Sequence, residues 1–65
     1  MSVAKVIELL AEGKSVENAV ENAVEEAKKS IKNIRSVYIQ DMQAVVRDGE
    51  VKRYRVNCKI TFVVE

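Results

Sequence analysis

The sequence predicts an α+β domain with the element order β-α-β-β. Three patterns support this prediction: apolar residues at helical spacing in the middle of the chain, strict apolar–polar alternation over residues 54–65, and an Asp48-Gly49 pair between two strand-like segments. The 65 residues form one domain, spanning residues 1–65. A chain of this length buries only about 60% of the surface that it exposes when unfolded. We therefore expect the domain to need partner subunits.

The first strand and the start of the helix are predicted from local signals. The strand is expected at residues 3–10 and is followed by the Glu12-Gly13-Lys14 sequence, which marks its end. Ser15 comes next as the helix N-cap, because its hydroxyl can accept a hydrogen bond from an amide of the first turn that has no partner within the helix.

The predicted helix carries a single apolar stripe on one face. The residues of the stripe are Val16, Ala19, Val20, Ala23, Val24, Ala27, Ile31 and Ile34. Most of them are small, so the helix is expected to approach a sheet closely. Asn33 is expected to end the helix, since asparagine tolerates the left-handed backbone conformation common at helix C-termini.

Two long strands are predicted at residues 36–47 and 51–64, and the Asp48-Gly49 pair between them favours a two-residue hairpin turn. This turn sets the register of the hairpin. The expected pairs are Arg47 with Glu50, Val45 with Lys52, Met42 with Arg55, Asp41 with Val56, Ile39 with Cys58 and Val37 with Ile60. A β-bulge in either strand would shift this register.

One face of the predicted hairpin mixes polar, charged and apolar residues. It should carry Ser36, Tyr38, Gln40, Met42, Ala44 and Val46 from the first strand and Val51, Arg53, Arg55, Asn57, Lys59 and Thr61 from the second. Such a face suits a wet subunit interface or a ligand platform. The alternative is an ordinary sheet face in contact with solvent.

The composition argues against an enzyme. The chain has no histidine for proton transfer near neutral pH and no glycine-rich phosphate loop. Its single cysteine, Cys58, excludes an internal disulfide and lacks a second soft ligand for zinc. Because Cys58 alternates with apolar residues, we expect a buried structural cysteine and not a nucleophile.

The charge pattern limits the classes of partner. Eleven basic and ten acidic residues give a net charge of +1, which argues against a nucleic-acid-binding protein. The sequence shows no signal peptide and no membrane-spanning segment, so we expect a cytoplasmic protein without a membrane partner. Glu17, Glu21 and Glu25 form an acidic column that could hold cations in an assembly, although a solvated helix face is the commoner arrangement.

The order, length and spacing of these segments resemble the dodecin family over nearly the whole chain. The first strand resembles the family in MSVAKVIEL, the helix and its exit in AVENAVEEAKKSIKNIR, and the closing hairpin in DGEVKRYRVNCKITFVVE. The resemblance implies a three-stranded antiparallel sheet wrapped around one helix, with twelve copies forming a hollow dodecamer. It also implies that a flavin such as riboflavin or FMN binds non-covalently at subunit interfaces, for storage or sequestration.

The resemblance also points to three candidate ligand-binding residues: Ser36, Tyr38 and Arg55. Flavin-binding dodecins have a tryptophan at the position of Ser36, where two indoles enclose stacked flavin rings. They tend to have a glutamine at the position of Arg55, and an arginine donates hydrogen bonds but cannot accept them. Tyr38 is the aromatic residue nearest to this position on the mixed face. Since serine cannot stack on a ring, we expect flavin binding to be weakened.

Two alternatives to a flavin-binding homododecamer remain open at this point. In the first, the dodecameric shell binds no flavin and instead holds calcium, or small anions through Arg53 and Arg55. In the second, the hairpin serves assembly alone and the only partner is another copy of the chain.

Overall fold

The computed structural model describes residues 3–64, which form one helix and one sheet. The elements are strand β1 (Val3–Gly13), helix α1 (Val16–Ala27), strand β2 (Ile34–Arg47) and strand β3 (Glu50–Val64). The three strands are antiparallel and lie in the order β1-β3-β2, so the closing strand is the central one. The predicted α+β class and β-α-β-β order are confirmed. Residue 65, at the end of the predicted alternation, lies outside the described residues.

The hydrophobic core lies between α1 and the central strand. Val56, Cys58 and Ile60 of β3 are fully buried, as the period-2 pattern of this strand predicts. They pack against a row of alanines on α1, namely Ala19, Ala23 and Ala27. Because alanine adds little bulk, the helix axis can lie close to the sheet. The buried alanines confirm that the apolar stripe of the helix packs closely against the sheet, as predicted.

Strand β1 is three residues longer than the sequence predicts. Glu12 and Gly13 do not form a turn but continue the ladder opposite Arg55 and Tyr54. Gly13 allows this because a Cβ atom at that position would lie 2.5 Å from the backbone nitrogen of Ala19. The strand therefore reaches the helix start only because this residue has no side chain.

The start of α1 is fastened to the end of β1 by side-chain hydrogen bonds. Ser15 is the N-cap, as predicted, and its Oγ accepts a hydrogen bond from the Asn18 amide at 2.9 Å. In return, the Asn18 Oδ1 accepts from the Lys14 amide at 2.9 Å. One turn later, the Asn22 Nδ2 donates to the Glu12 carbonyl at 2.9 Å. These bonds satisfy backbone groups that the helix and the sheet leave unpaired.

Helix α1 ends at Ala27, so the predicted end at Asn33 is wrong. Asn33 does have a left-handed backbone, with φ of 64°, but it marks the entry to β2. Ile34 keeps the helical spacing of the apolar stripe, yet it begins β2 and pairs with Phe62. An apolar residue next to the core fits both the helical stripe and the alternation of the following strand. Its spacing alone therefore does not show where the helix ends and the strand begins.

The predicted hairpin turn is confirmed. Asp48 and Gly49 have φ values of 53° and 74°, and Arg47 pairs with Glu50. Positive φ at both central residues is the mark of a type I′ turn, whose twist matches that of the flanking strands.

The β2–β3 ladder has three register shifts: one at Arg35 near the start of β2, and two β-bulges nearer the turn. Next to the turn, Val46 pairs with Val51, but the following pair is Val45 with Arg53. Lys52 is therefore an extra residue in β3, and the predicted Val45–Lys52 pair is wrong.

The second bulge lies in β2 at Gln40 and cancels the first. Between the bulges, Asp41 pairs with Asn57, so the predicted Asp41–Val56 pair is wrong. Beyond Gln40 the register returns to the predicted one, so the Ile39–Cys58 and Val37–Ile60 pairs are confirmed.

The bulges also move several residues to the other side of the sheet. Paired residues of an antiparallel ladder project from the same side, so Met42, which pairs with Val56, lies on the helix side. The same parity places Ala44 and Val46 there, together with Val51. The prediction that these residues share a face with Ser36 and Tyr38 is wrong, because a bulge reverses the alternation.

Within residues 3–64, no helix has the length and apolar character needed to cross a membrane.

Candidate ligand site on the outer sheet face

The sheet face opposite α1, here called the outer face, carries the candidate site. Since the even-numbered residues of central β3 enter the core, its odd-numbered residues and their partners on the edge strands point outward. The outer face consists of Ala4, Val6, Glu8, Leu10 and Glu12 of β1, Arg53, Arg55, Asn57, Lys59, Thr61 and Val63 of β3, and Ser36, Tyr38, Asp41, Gln43 and Val45 of β2. On this face, β1 contributes three apolar residues and two glutamates, and the central strand contributes basic residues, so the face is mixed, as predicted.

Ser36 and Tyr38 lie together at the exposed edge of the outer face. Ser36 pairs with Thr61 and Tyr38 pairs with Lys59, so both side chains project from edge strand β2. Their Cα atoms are about 7 Å apart, the distance between alternate residues of a strand. Tyr38 is 66% exposed, which leaves its ring free for a planar ligand. This edge can supply one stacking surface and two hydroxyls.

Arg55 does not join this edge within one subunit. It lies in the central strand opposite Gln43 and Glu12, and the predicted Met42–Arg55 pair is wrong because of the Gln40 and Lys52 bulges. The partner of Ser36 lies six residues further along β3, which corresponds to about 20 Å. One ligand could contact both Ser36 and Arg55 only if a second subunit supplied one of them.

A charged cluster that the sequence does not reveal surrounds Arg55. Glu12 Oε2 accepts a hydrogen bond from Arg55 Nε at 2.8 Å and lies 2.7 Å from Arg55 Nη2. Glu12 Oε1 lies 2.8 Å from Arg53 Nε. We call Glu12, Arg53 and Arg55 the outer-face cluster. Only the β1–β3 register brings these residues together, and they are more than forty positions apart in the chain.

The outer-face cluster keeps its carboxylate ionised. The hydrogen bond from Arg55 and the positive charges of Arg53 and Arg55 hold the pKa of Glu12 below its ordinary value of 4.5, against a smaller opposing effect of burial. Two guanidinium groups face one carboxylate, so the cluster has an excess positive charge. Arg53 Nε is shielded from solvent and makes no well-aligned hydrogen bond, although an oxygen of Glu12 is close.

Two other candidates from the sequence have different outcomes. Cys58 is buried in the core, as predicted, and burial raises the pKa of its thiol above the ordinary 9.0. Of the acidic column, Glu25 pairs with Lys28 at 2.9 Å in an exposed ion pair. The part of the chain that the structure describes contains no group of side chains arranged to hold a metal ion. The alternative of a calcium-binding shell thus has no structural support.

The family model for dodecins matches residues 3–65. The chain belongs to the dodecin family. Its fold superposes on a tryptophan-to-phenylalanine variant of Thermus thermophilus dodecin with a TM-score of 0.92 at 23% identity, covering 100% of this chain and 98% of that one. Dodecin from Streptomyces coelicolor gives a TM-score of 0.91 at 25% identity, covering 98% and 93%. Dodecin from Streptomyces davaonensis gives 0.91 at 17% identity, covering 98% and 96%. No curated protein matches the chain significantly.

These matches confirm that the sheet wraps around a single helix in the dodecin manner. Membership of the family supports, in general terms, a small flavin-binding protein that assembles as a homo-oligomer. The two proteins differ in their tryptophan content. The Thermus thermophilus protein has a tryptophan that was replaced in the variant, whereas this chain contains no tryptophan at all.

Proposed function

We propose that the protein is a ligand-sequestering dodecamer that binds a flavin of the riboflavin or FMN type, more weakly than dodecins with a tryptophan at the position of Ser36. Its proposed role is storage and not catalysis. The observation that carries the proposal is the exposed edge of the outer face, where Ser36 and Tyr38 project side by side from β2.

The weaker binding follows from the side chains at this edge. Stacking of a planar ring on an aromatic side chain contributes about 1–3 kcal/mol, which corresponds to about 5- to 150-fold in affinity. Ser36 offers no ring. Tyr38 offers an aromatic ring, but this residue lies two positions further along the strand than Ser36. Its ring can therefore replace the missing contact only in part.

Assembly is supported by apolar surface on the helix side of the hairpin. Met42 and Val46 of β2 and Val51 of β3 are 61%, 61% and 53% exposed on this side. The helix has twelve residues and is about 18 Å long, while the described chain extends over 51 Å. Large exposed apolar side chains on so small a chain are typical of subunit contacts.

The test compares Ser36→Trp with the unchanged protein and with Asp41→Trp. Both variants add an indole to the outer face of β2, but Asp41 lies on the other side of Tyr38 from Ser36, beyond the Gln40 bulge. Quenching of riboflavin fluorescence measures affinity, and native mass spectrometry counts subunits and retained ligand. We expect Ser36→Trp to tighten riboflavin binding by about 5- to 150-fold and Asp41→Trp to leave it unchanged.

Two results would contradict the proposal. The first is an absence of quenching by the unchanged protein at high concentration. The second is an equal effect of the two tryptophans, since that would mean that a ring anywhere on the outer face is enough.

A further inference from the structure

We propose that the outer-face cluster is a phosphate-binding subsite in which the Glu12 carboxylate is a built-in competitor. Arg53 and Arg55 supply the donors, and Glu12 lowers their affinity for an incoming phosphate group by occupying them. This inference rests on the geometry of the cluster and does not depend on flavin binding.

The arginines are held in the arrangement that an oxyanion requires. Arg53 and Arg55 are alternate residues of the central strand, so their side chains project from the same face about 7 Å apart at the Cα atoms. A guanidinium group binds carboxylates and phosphates through the same fork of two N–H donors. Glu12 already uses this fork, with Nε and Nη2 of Arg55 at 2.8 and 2.7 Å from one oxygen. The cluster thus holds a carboxylate in the way that it would hold a ligand.

The donors exceed what one carboxylate can satisfy. The Glu12 oxygen near Arg53 Nε is 2.8 Å away but badly aligned, and this nitrogen is shielded from water. Leaving such a donor unsatisfied is costly. A phosphate group has a further oxygen with which to meet Arg53 while two others bind the fork of Arg55. This favours a phosphate over a second carboxylate as the ligand.

The surroundings of the cluster also suit a phosphate. The cluster has two positive charges and one negative charge, and its three side chains are between 32% and 39% exposed. Opposite Arg55 on β2 lies Gln43, an exposed residue whose amide can both donate and accept a hydrogen bond. Gln43, Arg55 and Glu12 thus form one row across all three strands, open to solvent from the outer face.

The experiment measures binding of inorganic phosphate to the assembled protein by isothermal titration calorimetry at low salt. Glu12→Gln removes the competing charge, and Glu8→Gln is the matched control. Glu8 lies on the same strand and face, opposite Lys59. We expect Glu12→Gln to bind phosphate at least about tenfold more tightly than the unchanged protein, because it frees charge-assisted hydrogen bonds. Glu8→Gln should show a smaller change that salt abolishes.

A second pair of variants covers the case in which Glu12→Gln does not assemble. Arg53→Gln removes a donor of the subsite, and Lys52→Gln removes the same charge from a neighbouring residue that pairs with Glu50 at 2.9 Å. Phosphate affinity should fall in Arg53→Gln and stay unchanged in Lys52→Gln. Equal effects of Glu12→Gln and Glu8→Gln, or of Arg53→Gln and Lys52→Gln, would overturn the proposal.

Comparing FMN with riboflavin identifies the source of the phosphate. If the subsite holds the phosphate of a phosphorylated ligand, Glu12→Gln will raise the preference for FMN over riboflavin. If it holds free phosphate, Glu12→Gln will bind inorganic phosphate more tightly than the unchanged protein does, without a change in the preference for FMN over riboflavin. An absence of flavin binding in every variant would overturn the proposed function but not this inference, because the phosphate titration contains no flavin.

Discussion

Replacing Gly13 with alanine should destabilise the junction between β1 and α1. The added Cβ would lie 2.5 Å from the nitrogen and 2.9 Å from the Cα of Ala19, and 2.7 Å from the Oδ1 of Asn18. Two of these atoms belong to the backbone and cannot rotate away, so the helix start has to move. Overpacking of this kind costs about 1–3 kcal/mol. Losing the hydrogen bond from the Lys14 amide to Asn18 adds about 1 kcal/mol.

Gly49→Ala is the matched control because it adds the same methyl group but destabilises the protein through a different cause. A Cβ at Gly49 meets no atom within 4 Å, and its cost comes only from the left-handed φ of 74°. That cost is about 1 kcal/mol. In urea unfolding of the assembled protein, Gly13→Ala should therefore lose about two to four times as much free energy as Gly49→Ala.

Amide hydrogen exchange locates the damage. The Ala19 amide donates to the Ser15 carbonyl at 2.9 Å, so it should be protected in the unchanged protein. Gly13→Ala should speed its exchange, whereas Gly49→Ala should not. The steric reasoning fails if Gly13→Ala is no more destabilising than Gly49→Ala and the exchange of Ala19 does not change.

Two further predictions concern titratable groups. Cys58 is buried and its thiol pKa is raised, so a thiol reagent should label it only as the protein unfolds, and rapid labelling of the assembled protein would contradict this. The pKa of Glu12 is lowered in the folded state, so its pairs with Arg53 and Arg55 stabilise the fold above the ordinary value of 4.5, and that stability is lost as the pH falls through the lowered pKa. The difference in unfolding free energy between the unchanged protein and Glu12→Gln should be present at neutral pH and vanish in strong acid. A difference that does not depend on pH would rule out the ion pairs as its cause.

Features that depend on a few adjacent residues could be predicted from the sequence. The Ser15 cap and the Asp48-Gly49 turn are both confirmed, because a hydroxyl beside free amides and a pair of residues tolerant of positive φ each act locally. The burial of Val56, Cys58 and Ile60 is also confirmed, since strict alternation leaves one orientation for the strand.

Features that depend on pairing between distant segments could not be predicted. The bulges at Lys52 and Gln40 have no signature in a single strand, yet together they decide that Gln43 and not Met42 lies opposite Arg55. Because the bulges cancel, the pairs nearer the core are predicted correctly and only those between the bulges are wrong. Glu12 cannot be predicted as a site residue for a related reason: its importance depends on a partner more than forty positions away, and the sequence predicts that β1 ends before it.

The central position of β3 has a consequence for the order of events during synthesis. Strands β1 and β2 are made first, but each pairs with β3 in the described sheet, and they do not pair with each other. The first two strands therefore leave the ribosome with unsatisfied edges, and α1 has only part of its packing surface. Since Val3 pairs with Val64, the last pairs to close join the two ends of the described chain, which is the kind of contact that slows folding most. The nascent chain is thus exposed to wrong strand pairing until β3 has emerged.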